Sequence, residues 1–110
     1  MRRAILKRVG QYQAVRRMRD REFRLKFKTE HMEGVMAQIE PYDIMEPYIH
    51  EGEEVHIVLD GRIEYMVGKE SFVMRPGDIL WHPSDVLHGA RNIGDETARY
   101  FTVGVPPTFM

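Results

Sequence analysis

The chain has 110 residues, a formal net charge of −1 and no cysteine. This length suits one domain and is too short for two. The absence of cysteine excludes disulfides, thiolate metal sites and cysteine nucleophiles. No run approaches the ~20 apolar residues of a membrane span, and Lys7 and Arg8 end the apolar start too early for a signal peptide. We therefore expect a cytoplasmic protein that makes no membrane contact.

Charge is distributed unevenly along the chain. Residues 1–28 contain 11 of the 16 Lys and Arg residues, whereas residues 29–110 contain 15 of the 17 acidic ones. Such a segment either lies against an acidic body, its own or a partner's, or contacts nucleic acid. No aromatic and glycine recognition motif accompanies the arginines, so nucleic acid is not an expected partner. We predict that residues 1–34 form a basic strand region that packs on, or swaps with, a barrel formed by residues 35–110.

Apolar and polar residues alternate with period two along most of the chain, which is typical of half-buried strands. Only residues 2–19 have a weak helical pattern. Asp60-Gly61 is a typical two-residue hairpin turn and predicts that the strands on either side of it pair. Many short strands separated by turns indicate an all-β sandwich or barrel. The predicted strands are 23–28, 35–39, 53–59, 62–67, 71–74, 79–82, 86–91 and 98–105.

The predicted strand 53–59 has two dissimilar faces. Val55, Ile57 and Leu59 share one face, while Glu54 and His56 share the other. If the second face looks into a pocket, the first is apolar and still needs cover. A second subunit or the N-terminal strand can provide that cover, so we expect a homodimer.

Histidines concentrate where this strand begins. Tyr48, His50, Glu54 and His56 have the same parity, so an extended segment directs their side chains to one side. His88 follows a Pro-Ser-Asp turn and can approach from a facing strand. Two imidazoles and one carboxylate form a ligand set that suits divalent metals. The competing interpretation is a set of hydrogen-bonded core or surface histidines and a solvated glutamate.

The spacing of these residues resembles the two sequence signatures of the cupin superfamily, in its small single-domain form. The resemblance implies an all-β fold, a cupin-type jelly-roll β-barrel in a single domain, with a metal held by three histidines and one glutamate. It assigns His50, Glu54 and His88 as metal ligands. The matching residues read His50-(three)-Glu54-(six)-Gly61 and Gly77-(five)-Pro83-(one)-Asp85-(two)-His88-(three)-Asn92.

The sequence departs from the cupin signature at the first histidine, whose place is taken by Tyr48. A phenol can ligate a metal, donate a hydrogen bond or contact substrate. His56 is the second candidate for the fourth ligand, and both residues are candidates for a proton-transfer or orienting role. The expected cofactor is a divalent ion, Fe, Mn, Zn or Ni. His82 either lines the pocket or is structural, and His31 is expected to be solvated.

Two functions are compatible with this site. The first is a metal-dependent enzyme, such as a dioxygenase, isomerase or lyase, that acts on a small carboxylate or carbonyl substrate. Arg91 and Arg99 are candidates to meet an anionic substrate at the barrel mouth. The alternative is a metal-free ligand-binding or sensor cupin, similar to the effector-binding half of transcriptional regulators. Either function predicts a small-molecule ligand as the partner.

Overall fold

The computed structural model describes residues 3–18 and 21–108. These residues form ten strands and no helix, so none of them belongs to a helix able to cross a membrane. The strands are β1 Ala14–Met18, β2 Arg21–Lys28, β3 Glu33–Ile39, β4 Ile44–Tyr48, β5 Glu53–Asp60, β6 Ile63–Val67, β7 Glu70–Met74, β8 Ile79–Pro83, β9 His88–Asn92 and β10 Ala98–Val105.

The strands form two antiparallel sheets. One has the order β1-β2-β3-β10-β5-β8 and the other the order β4-β9-β6-β7. Ile39 and Tyr100 of the first sheet and Ile63 and Tyr65 of the second belong to one buried apolar cluster. The two sheets therefore pack face to face around a shared core, which confirms the predicted all-β, jelly-roll-like fold.

Strand β5 carries the predicted division into two faces. Glu54 and His56 are buried, whereas Val55 and Leu59 on the other face are 37% and 39% exposed. This alternation follows from the period-two geometry of a strand whose one side faces a core. Trp81 of β8 lies opposite Val55 and extends the exposed apolar face. The homodimer expected from this face stays a prediction, which light scattering of the purified chain tests.

The turn at Asp60-Gly61 does not close a hairpin, so this prediction is wrong. It connects β5 to β6, which belong to different sheets. Gly61 has φ +81°, and a Cβ there would lie 2.8 Å from the Cβ of Ala98. The sequence therefore specified a tight turn with positive φ, but local turn chemistry does not determine which sheet the next strand joins.

The described part of the basic N-terminal region contains strands β1 and β2 and no helix, so the weak helical pattern was misleading. Strand β1 pairs with β2, and β2 pairs with β3 of the same chain. The predicted boundary at residue 34 stays a prediction. Residues 1, 2, 19, 20, 109 and 110, which fall within the predicted regions, lie outside the described residues.

Candidate metal centre

A cluster of four histidines surrounds one buried carboxylate between the two sheets. Glu54 of β5 lies directly opposite His82 of β8 in the larger sheet. Tyr48 of β4 lies opposite His88 of β9 in the smaller sheet. His50 follows β4 in the loop that leads into β5. Strand register in both sheets therefore directs these side chains into one space.

The predicted ligands His50, Glu54 and His88 are brought together. The Nε2 atoms of His50 and His88 lie 2.8 Å and 3.0 Å from the same Glu54 oxygen, Oε2. The Ser84 hydroxyl donates a hydrogen bond of 2.7 Å to that oxygen. The Glu54 and His88 side chains are completely buried, and that of His50 is 13% exposed. Three potential ligands thus converge at the inner end of a slightly open site.

The protons on His50 and His88 are determined by the backbone. His88 Nδ1 lies 2.7 Å from the Val86 carbonyl oxygen, and His50 Nδ1 lies 3.1 Å from that of Glu51. His50 Nδ1 is also 2.9 Å from Thr108 Oγ1, whose hydroxyl donates to the Pro106 carbonyl oxygen and can therefore accept from the ring. A carbonyl only accepts, so Nδ1 of each ring carries the hydrogen. In the neutral rings, Nε2 therefore presents a lone pair to the negatively charged oxygen of Glu54. Such an arrangement of acceptors is favourable only when a cation, either a metal ion or a proton, lies between them.

The other two histidines form a closed chain of hydrogen bonds. His56 Nδ1 lies 2.6 Å from Thr102 Oγ1, and His56 Nε2 lies 2.9 Å from His82 Nε2. The Nδ1 of His82 is 2.8 Å from the Pro83 carbonyl oxygen. Because that carbonyl only accepts, Nδ1 of His82 donates to it, His56 Nε2 donates to His82, and Thr102 donates to His56. Two neutral imidazoles satisfy this chain without a metal.

The pKa directions distinguish His56 and His82 from His88. Burial lowers the pKa of His56 to about 3 and also lowers the pKa of His82. Burial acts in the same direction on His88, but its contact with Glu54 and the Val86 carbonyl outweigh it and raise its pKa. For Glu54, burial raises the pKa, but the interactions with His88, His56 and Ser84 reduce it to about 2. The carboxylate is therefore charged, and the raised pKa of His88 favours a proton on its ring.

Tyr48 lies beside the ligand set. Its ring centroid is 5.1 Å from that of His50 and 4.7 Å from that of His88. Burial and the charge of Glu54 raise the pKa of its phenol well above 10. His56 also approaches Glu54, with Nε2 3.5 Å from Oε1. Both candidates for the fourth position are therefore near the site.

Several other expectations are revised. His82 belongs to the buried cluster, and Ser84, for which the sequence suggested no role, holds Glu54. The prediction that Arg91 and Arg99 meet a substrate is not supported, because Arg91 pairs with Glu64 at 2.8 Å and Arg99 pairs with Asp60 on the exposed surface. The one sequence signal for a role of Ser84 is its position in the Pro-Ser-Asp turn, four residues before the predicted ligand His88.

The donor atoms fit a divalent ion. Metal–nitrogen and metal–oxygen bonds of roughly 2.0–2.2 Å bring two ligands of one ion to within about 4 Å of each other. The separations of 2.8 Å and 3.0 Å satisfy this limit. The donors of His50, Glu54 and His88 all lie within 4.8 Å of one another, as do those of Glu54, His56 and His82. Only the first set leaves two lone pairs and a negative charge to be neutralised.

The fold and this His/Glu cluster define a cupin. The cupin-domain family model matches residues 35–104, and the chain belongs to this family. Polyketide synthase CurC of Streptomyces cyaneus is 41% identical over 56 residues, which are 51% of this chain and 36% of that protein. The match thus spans little more than a third of the length of that curated relative.

Solved structures share the fold over nearly the whole chain. An RmlC-like cupin from Shewanella frigidimarina superposes with a TM-score of 0.82 at 15% identity, covering 99% of this chain and 97% of that one. The protein TT1209 from Thermus thermophilus has a TM-score of 0.77 at 26% identity, covering 97% of this chain and 99% of that one.

Proposed function

We propose that the chain is a metal-dependent cupin enzyme that binds one divalent ion at His50, Glu54 and His88 and acts on a small carboxylate or carbonyl compound. The observation that carries the proposal is the pair of imidazole lone pairs directed at one buried carboxylate oxygen, at 2.8 Å and 3.0 Å. A bound divalent ion would act as a Lewis acid toward a substrate oxygen. The nitrogen and oxygen ligands suit Fe, Mn, Zn or Ni.

The residues around the ligands have separable roles in this proposal. Ser84 holds Glu54, and the Val86 carbonyl fixes the ring of His88. Such supporting hydrogen bonds orient metal ligands and adjust their basicity. Tyr48 keeps its proton because its pKa is raised, which favours a phenol that donates to substrate over a phenolate ligand. His56 has both nitrogens engaged and is 2% exposed, which favours an orienting role over proton transfer to substrate.

Elemental mass spectrometry of protein purified without a histidine tag tests the proposal. The wild type should contain about one divalent ion per chain after loading, and His50→Ala and His88→Ala should each reduce this content at least tenfold. His31→Ala is the matched control, because the His31 side chain is exposed and pairs with Glu30, far from the cluster in sequence. The control should retain the metal.

A fourth variant distinguishes the two histidine pairs. His56→Gln keeps a side-chain donor toward His82 and should retain the metal. Loss of metal in His56→Gln together with retention in His50→Ala would contradict the assignment. A wild type that stays metal-free after loading with Fe(II), Mn, Zn and Ni would also contradict it, and would favour the metal-free ligand-binding alternative.

A further inference from the structure

A cavity of about 320 Å³ opens on the side of Tyr48 that faces the N-terminal strands. Its apolar lining includes Met18, Phe23 and Met45. A smaller cavity beneath it is lined by Phe23, Met45 and Tyr48 again and reaches Glu54. The shared lining makes the larger cavity an approach to the carboxylate at the centre of the cluster. Its volume lies at the lower end of the range for small-molecule sites.

Two arginines contribute to the same lining. Arg16 comes from the exposed edge strand β1 and Arg21 from the start of β2. Among the described lining residues, Glu46 is the one carboxylate, so these residues together carry a formal charge of +1. An otherwise apolar cavity with an excess of guanidinium groups is suited to a ligand with an apolar body and an anionic end.

The neighbouring Arg17 and Arg24 are neutralised, whereas the described part of the chain offers Arg16 and Arg21 no carboxylate. Arg17 and Arg24 both pair with Glu22. Arg16 and Arg21 have no carboxylate partner among residues 3–18 and 21–108. Arg21 is only 5% exposed, and its single hydrogen bond within this part of the chain runs from Nε to the Met18 carbonyl oxygen at 3.3 Å. A largely buried guanidinium is costly unless an anion pairs with it, and the described residues supply no carboxylate for Arg21.

We propose that Arg16 and Arg21 bind the carboxylate of a small, largely apolar substrate whose body lies along Phe23 and Met45. This inference rests on the proposed function, because it places the other end of that substrate beside Tyr48 and the metal ligands. Arg21 is the principal anchor, since burial strengthens a charge-assisted hydrogen bond. Arg16 is exposed and adds a weaker, salt-sensitive attraction.

Isothermal titration calorimetry of the metal-loaded chain tests the inference with two matched probes, 3-phenylpropionate and the neutral 3-phenylpropan-1-ol. The wild type should bind the acid more tightly than the alcohol. Arg21→Met should weaken binding of the acid by roughly 10- to 100-fold and leave binding of the alcohol within about twofold. Arg16→Met, at an exposed position that does not endanger folding, should weaken the acid by about two- to fivefold at low salt.

Arg91→Met is the matched control, because Arg91 pairs with Glu64 on the outer surface and does not line the cavity. It should leave both affinities unchanged. If the wild type binds the two probes equally, or neither of them, the inference is wrong. Thermal melting of each variant establishes that it is folded, and if Arg21→Met does not fold, the Arg16→Met result decides.

The metal-free variant His50→Ala/His88→Ala separates this inference from the proposed function. If the acid still binds there and still depends on Arg21, the arginines form the anion site whether or not the chain uses a metal. If binding of the acid is lost in this variant and retained in Arg21→Met, the carboxylate of the acid binds the metal and the inference is overturned. Metal content measured on the same samples reports the fate of the proposed function independently.

Discussion

Replacing Glu54 with glutamine should stabilise the metal-free protein while abolishing metal binding. In the wild type, two imidazole lone pairs face the charged Oε2 of Glu54 at 2.8 Å and 3.0 Å. A glutamine whose amide nitrogen takes the place of Oε2 can donate its two hydrogens to His50 and His88, and gives up the hydrogen bond that Ser84 donates to that oxygen. The substitution thus exchanges a repulsive set of acceptors for a hydrogen-bonded one, with almost no change in volume.

The size of the gain follows from what is exchanged. One new buried hydrogen bond contributes about 0.5–1.5 kcal/mol net, and removal of an uncompensated buried charge adds to it, so we expect about 1–3 kcal/mol. Unfolding entropies of roughly 2.1 cal/mol/K per residue mean that 1 kcal/mol raises Tm by about 4 °C in a 110-residue chain. The metal-free Glu54→Gln variant should therefore melt about 4–12 °C above the metal-free wild type.

The gain should depend on pH. Below the unfolded-state pKa of 6.5, His88 is protonated and its contact with Glu54 stabilises the wild type, because the folded-state pKa of His88 is raised and that of Glu54 is lowered to about 2. This contribution is lost as pH rises through the folded-state pKa of His88. The advantage of glutamine should thus be full above that pKa and should shrink toward pH 5.

Calorimetric melting in EDTA at pH 8.5 and pH 5, and again with added metal, measures both effects. Glu53→Gln is the control, because Glu53 lies next along β5 but is exposed and accepts only from Trp81 among the described residues. It should change Tm by less than about 2 °C, in keeping with a surface substitution. A Glu54→Gln variant that melts below the metal-free wild type at pH 8.5, or that retains one metal per chain, would refute the reasoning.

Two further predictions concern the surroundings of the site. Burial holds the folded-state pKa of His56 at about 3, below the unfolded value of 6.5, so the metal-free protein should lose stability as pH falls from 6.5 toward 3. Urea unfolding at several pH values should show a smaller loss of unfolding free energy for His56→Leu than for the wild type. An equal dependence of the unfolding free energy on pH in both proteins would contradict this cause. Gly52→Ala should cost at least about 2 kcal/mol more than Gly77→Ala and reduce metal retention, because both have positive φ but only the Gly52 Cβ meets backbone, 2.0 Å from the Val105 oxygen. Equal unfolding free energies for these two variants would contradict the prediction and would mean that the loop before Glu54 shifts to accommodate the added Cβ.

The fold was predictable where packing on one side imposes a regular alternation. In strand β5 the alternating pattern predicted that Glu54 and Val55 lie on opposite faces, and Glu54 is buried whereas Val55 is exposed. Strand β4 was not predicted, since Ile44–Tyr48 contains Pro47 and lacks the alternation. Strand β1 was missed for a similar reason, because it lies at a sheet edge and is mostly exposed. Strands whose sides are not divided between core and solvent carry no periodic sequence pattern.

The side chains of the site were predictable, but their protons were not. Parity placed His50, Glu54 and His56 on one side, and the cupin resemblance added His88. The difference between the histidine pairs depends on carbonyl groups, such as that of Val86, which turns bring against the rings. Every residue has a backbone carbonyl, so the sequence does not show which carbonyl contacts a histidine ring. Only the folded structure therefore shows which ring nitrogen is available to bind a metal.

The number of ions that the cluster should hold depends on where the histidine protons lie, and not on the number of potential ligands. Four histidines around one carboxylate form two geometrically acceptable triads. In one of them, three donors match three acceptors from Thr102 to the Pro83 carbonyl, and an ion could enter only by breaking the 2.9 Å bond between His56 and His82. In the other, the tautomers direct two imidazole lone pairs at Oε2, and the Ser84 hydroxyl is the one donor to that oxygen among the described residues. Glu54 therefore lies between a histidine pair that needs no cation and a second pair whose lone pairs face its charged Oε2, which predicts one ion and not two.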